Sequence, residues 1–174
     1  MKRIVFFVFL GVVVLTLQTA LLRFFPIQRF RPDFVLIFTL YLGFSSPPVL
    51  GAILSFFMGY FVDLFSGNIF GLYTFSRPAL FYGAYLFKSK FYMEGFFSQC
   101  IFVFLATFLE GALLLMFLTL LSPEPPLGFY LPFLLALVPQ SLVTALVTPV
   151  LFALLQKGSI LFAKKDGAGV QERG

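Results

Sequence analysis

The stretch GYFVDLFSGNIFGLYTFSR, residues 59–77, sets an acid, Asp63, and a guanidinium, Arg77, in oily surroundings. Glu110 and Gln140 interrupt later apolar runs in the same way, and Gln18 interrupts the first. Acid and base in such surroundings can pair with each other, hold a ligand, relay a proton or catalyse a reaction. Catalysis is the poorest fit. The chain has no histidine, which removes imidazole acid/base work, histidine metal ligation and the Ser–His and Cys–His nucleophile arrangements. There is also no GxSxG, no metal-ligand spacing and no pair of acids at suitable range. The single cysteine, Cys100, lies in an apolar run, so it makes no disulfide or CxxC site and reads as a small lipid-facing or core residue. A proton relay through Glu110 lacks a second titratable chain of partners. The expectation is a chain that is not an enzyme and that takes no metal and no cofactor.

The composition says what must position these groups. Of 174 residues, 60% are hydrophobic and 11% charged, and the mean hydropathy is +1.03. A soluble domain is about half apolar and about a quarter charged. Apolar runs of about 17 residues or more recur, the mark of an integral membrane protein with little mass outside the bilayer. The net charge of +5 sits at the ends and in short connections, a pattern of topology signals rather than of a nucleic-acid-binding face.

The expected fold is all-α, a bundle of six transmembrane helices occupying residues 1–157, with spans at 4–22, 30–46, 49–65, 69–87, 96–121 and 129–156. Residues 158–174 form a basic, glycine-containing tail expected to be disordered. The first run follows Met-Lys-Arg like a signal peptide, but Gln18 spoils the small-residue cleavage pattern, and the run is read as a retained helix. In the second span Arg31 and Asp33 are expected to snorkel at its start. SSPP, residues 45–48, breaks the chain between the second and third spans, since proline removes a donor and drives the preceding residue out of α geometry. Pro132, Pro139 and Pro149 predict kinks in the last helix that neighbours or water must repair.

Eight of the twelve Lys and Arg residues fall on the side of the termini and three on the other, which places both termini in the cytoplasm. Depth then follows at ~1.5 Å per helical residue from the outer end of each span. Asp63 lies ~3 Å in, Gln18 ~6 Å, Arg77 ~12 Å, and Gln140 and Glu110 ~16 Å. All five fall in the outer half. An unpaired charge near the bilayer centre costs at least ~2.5–3.5 kcal/mol, so such groups face inward and pair. The expectation is an Arg77–Glu110 ion pair between the fourth and fifth helices, with Gln140 and Asp63 completing its hydrogen bonds. Three uses of that cluster stay open: fixing helix register, a pocket open to the outer leaflet, or a docking surface for another protein's helix.

Gly51, Ser55, Gly59 and Asp63 recur every fourth position on one face of the third helix. Small residues at this spacing let another backbone approach, from within the chain or from a partner. Gly67 and Gly71 serve the SGN turn and the start of the fourth helix, where positive φ or close packing is expected.

The segment GAILSFFMGYFVDLFSGNIFGLYTF, residues 51–75, is a glycine-striped helix ending in an acid, a short turn, then G-L-Y and another helix. With the Pro32–Asp33 step into the second span, the short hydrophilic loops and the chain length, it resembles the rod shape-determining protein MreD family of bacteria. The likeness runs from the first span to about Lys157 and is most specific over residues 49–87; no catalytic motif defines the family. The resemblance implies a non-enzymatic scaffold of the cell-elongation and peptidoglycan-synthesis machinery in the inner membrane. Its implied partners are a bitopic MreC-like protein, then MreB and RodA with its transpeptidase partner. Apart from the resemblance, the lysines of the basic tail can touch anionic lipids, and a second copy of the chain is a further expected partner. The six-helix plan is also similar to the substrate-binding subunits of energy-coupling-factor vitamin transporters, whose pocket opens outward, so such a subunit is the second functional reading. Those subunits often carry alanines spaced by four on the first helix, whereas the first span here has Ala20 alone. Arg77 and Glu110 depart from the pattern that carries the resemblance, which assigns them no role, and they rest on the physics of buried charge alone.

Overall fold

The computed structural model describes residues 2–24, 32–66, 71–88, 95–121 and 130–171. These form six helices: α1 Lys2–Phe24, α2 Phe34–Ser45, α3 Pro48–Ser66, α4 Leu72–Phe87, α5 Phe96–Leu121 and α6 Tyr130–Gln171. Three stretches, Pro48–Phe65, Phe96–Leu120 and Pro132–Ile160, are long and apolar enough to cross a membrane; Phe6–Ala20 and Phe34–Ser45 are shorter apolar helices. Large apolar side chains such as Phe9, Phe65, Phe97, Leu120 and Leu154 point outward, as they do where the surrounding solvent is lipid.

α2 is the axis of the bundle. Every residue from Val35 to Gly43 is buried, as expected of a helix that is apolar all round. It contacts each of the other five helices. Its sequence leaves room for this: a Cβ on Gly43 would come within 2.7 Å of Ala84 Cβ and 3.1 Å of the Phe81 carbonyl of α4. At 12 residues α2 is only ~18 Å long, well short of the ~30 Å hydrocarbon core. Its N-terminus therefore starts inside the bundle: the Asp33 N–H donates to Thr144 Oγ1 at 3.2 Å, about four turns into α6.

This overturns the snorkelling expected of Asp33. Snorkelling belongs to the long stems of Lys and Arg, and aspartate has one methylene; Asp33 is buried instead. Arg31 lies outside the described residues.

The break at SSPP is as local sequence dictates. Ser46 is extended, at φ −110° and ψ 161°, and α3 begins on Pro48, where a missing N–H loses nothing. At the far end α6 continues to Gln171, through the segment expected to be irregular. No proline follows Pro149, and each glycine there weakens a helix by only ~1 kcal/mol relative to alanine.

Proline repair is visible at Pro149. It has no N–H for the Ala145 carbonyl one turn earlier, and Cys100 Sγ of α5 donates to that carbonyl at 3.3 Å. The lone cysteine thus has a partner between α5 and α6.

Candidate functional site

Three buried charges meet where α2, α4 and α5 converge. Arg77, fully buried on α4, places Nη2 2.5 Å from Asp33 Oδ2 and Nε 3.2 Å from Glu110 Oε1. Ser76 Oγ donates to the same Glu110 oxygen at 3.3 Å. The Arg77 guanidinium also lies over the Tyr73 ring, with Cζ 5.4 Å from its centroid, the distance at which a ring face attracts a cation. Nε and Nη1 make no aligned hydrogen bond among the described residues.

Asp33 does two jobs. As the N-cap of α2 it accepts from the Leu36 N–H on Oδ1 at 2.8 Å, while Oδ2 takes Arg77. The carboxylate is therefore aligned by its own helix before it meets the arginine. The next free amide of α2, Val35 N–H, donates to Gln18 Oε1 of α1 at 2.9 Å. Gln18 thus caps α2 rather than joining the charge cluster.

Asp63 is also separate from that cluster, against expectation. Its described bonds all go to the start of α4: the N–H groups of Gly71, Tyr73 and Thr74 at 3.1, 3.0 and 2.9 Å, and the Thr74 hydroxyl at 2.5 Å. The N-cap position of α4 is held by Gly71, at φ 101° with no side-chain cap of its own. Glycine supplies the left-handed backbone that the turn requires, and Asp63 supplies from α3 the oxygens that glycine lacks. A carboxylate at this place also meets the positive end of the helix dipole.

The small-residue stripe of α3 faces α4. A Cβ on Gly59 would collide with the Tyr73 carbonyl and with Thr74 Cα, and one on Gly51 with the Phe81 ring and Ser46 Oγ. Ser55, fully buried, turns its hydroxyl back to the Gly51 carbonyl at 2.7 Å. The face is occupied within the chain, so it is not free for another protein's helix. Gly67 lies outside the described residues.

Beside the triad is a cavity of about 280 Å³. Asp33, Glu110, Gln140, Tyr73 and Thr107 supply its polar lining, and Leu114, Leu118, Phe133 and Leu137 are among its apolar walls. Glu110 sits ~16 Å along α5 from its C-terminal end, so the polar lining lies deep and the walls continue toward the ends of α5 and α6. Gln140 lines this space, while its backbone carbonyl accepts from Thr144 Oγ1 at 2.7 Å. Among the described residues no group of three or more His, Cys, Asp or Glu could hold a metal ion.

Sequence reasoning missed Asp33 as the first partner of Arg77. A signal was present: an acid following Pro32 and preceding FVLIFTLYLGF has the form of a helix N-cap, and an all-round apolar helix belongs at a bundle's centre. Thr144 and Gly43 left no comparable trace.

An all-helical bundle with apolar outer faces, a capped central helix and its charges paired inside has the build of an integral membrane protein. Comparison with known proteins gives the family. A family model for the rod shape-determining protein MreD matches residues 1–158, and the chain belongs to that family. No curated protein and no solved structure matches it. Membership makes the chain a membrane component of the shape-determining machinery with a role in rod shape determination, in a family that is structural and not known for enzymes.

Proposed function

We propose that this chain is a non-enzymatic scaffold of the bacterial cell-elongation machinery, which holds the transmembrane segment of an MreC-like bitopic partner. In this reading all six helices lie in the inner membrane with both termini cytoplasmic. The match to the family over residues 1–158 carries the proposal, and the bias of Lys and Arg toward the side of the termini supports the orientation. The six-span plan, its likeness to energy-coupling-factor subunits, and association with MreB, with RodA and its transpeptidase, with lipids or with a second copy belong to the same proposal.

A scaffold of this kind works by mass action. A partner helix that packs better against one arrangement of the bundle shifts its population by the difference in affinity and no further. Because the α3 stripe is filled by α4, the partner meets an outward apolar face instead. Extraction in mild detergent, followed by identification of bound proteins and small molecules, tests the reading. A stoichiometric single-span partner is the expected result. A stoichiometric vitamin with no such partner would replace it with the transport reading.

A further inference from the structure

Among the described residues, the cavity beside the triad is lined by two carboxylates, Asp33 and Glu110, and by no basic side chain. One guanidinium, Arg77, serves both acids from behind, so the lining carries an excess of negative charge. The two contacts described for Glu110 both fall on Oε1, which leaves Oε2 for an occupant of the cavity. Tyr73 and Gln140 are also among the lining residues, and an aromatic ring and an amide oxygen are groups that attract cations. A bare metal ion is a poor match for about 280 Å³ with mainly apolar walls, and an anion would meet two acids.

We propose that this cavity binds a small amphiphile through a protonated primary amine, which pairs with Glu110 and Asp33 while its apolar part lies along Leu114 and Phe133. A primary ammonium has three donors in a compact head, which suits two carboxylate oxygens and the Gln140 carbonyl. The chemistry is shared by free alkylamines and by aminophospholipid headgroups. The site is independent of partner binding, so either idea can fail alone.

The test uses the full-length chain in lipid nanodiscs, with hexylammonium, hexanoate and hexanol as matched probes. Saturable binding and a raised melting temperature with hexylammonium alone are expected. Glu110→Gln should weaken that binding by about ten- to a hundredfold, the worth of a charged hydrogen bond, while keeping the Asp33–Arg77 pair. Ala136→Phe leaves the charges in place and fills the cavity, and it should abolish binding. Nanodiscs of phosphatidylethanolamine against phosphatidylcholine distinguish the sources: hexylammonium blocked only in the former names the lipid headgroup, and equal binding in both names a free amine. Equal binding of hexanol or hexanoate, or undiminished binding by Glu110→Gln, overturns the proposal. Binding that emerges only after Arg29→Gln or Arg31→Gln also overturns it, because the chain's own first loop would then supply the cation.

Discussion

Arg77 Nη2 meets Asp33 Oδ2 across 44 positions of the chain, tying α4 to the N-cap of the central helix. The same guanidinium reaches Glu110 of α5, and the Asp33 N–H reaches Thr144 of α6. Four helices are held in one register by groups that none of them could bury alone.

Removing the arginine leaves two buried carboxylates unpaired. Breaking a buried pair from one side costs about 3–5 kcal/mol, so Arg77→Leu is expected to lose most of the folded protein in detergent melts. Asp33→Asn is costlier than Glu110→Gln, because Asp33 holds the shorter ion pair. A charge swap of Arg77→Glu with Glu110→Arg does not rescue by itself, since the new glutamate faces Asp33. Adding Asp33→Asn to the swap restores stability. Rescue by the double swap alone would show that Asp33 is not the principal partner.

Gly59 has no room for a side chain. Gly59→Ala forces α3 away from the backbone of Tyr73 and Thr74, at about 1–3 kcal/mol for an overpacked contact, and Gly59→Leu costs more. Gly83 is the control, because a Cβ there meets nothing within 4 Å. Gly83→Ala is expected to stabilise α4 by about 0.5–1 kcal/mol. Thermal melts of the purified variants read both signs.

Asp63 accepts from three backbone amides at the start of α4. Asp63→Ala strips that cap and leaves buried donors unmade, a loss of about 2–3 kcal/mol. Asp63→Asn keeps an acceptor and loses less. Hydrogen exchange should quicken first at Gly71, Tyr73 and Thr74 in the alanine variant.

Orientation is open to cysteine labelling, and the background matters. Cys100→Ser keeps a donor for the Ala145 carbonyl that Pro149 leaves free, whereas Cys100→Ala does not. The serine background should melt close to the natural chain, and the alanine background lower by about 1 kcal/mol for an unmade buried bond. In the serine background, Gln28→Cys and Pro125→Cys are expected to react with an impermeant maleimide from outside, and Met93→Cys only after the membrane is opened. The reverse pattern would invert the proposed topology.

Much of the fold is legible along the chain because its signals are local. Run length and composition mark the apolar helices, SSPP stops one of them, and α5 spans the stretch its hydropathy outlines, Phe96–Leu121. The approach of Arg77 to Glu110 also follows from local arithmetic, since rise per residue and the cost of lone charge in lipid put both at similar depth. Asp63 was misjudged because the same arithmetic gives depth and says nothing of direction around the helix axis. The acid lies on the α4-facing side of α3, one turn beyond Gly59, and its oxygens go to the nearest unsatisfied amides.

Sequence alone determined that this chain is an apolar helical protein whose few internal charges must find one another, because each carries a penalty wherever it stands. Only the tertiary structure decided who meets whom. α2 is short and almost wholly apolar, so burial draws it to the centre, where its N-cap acid reaches Arg77. That displacement of one helix along the bundle, set by packing against five others, leaves the charged cavity beside α5 and α6, and no single segment encodes it.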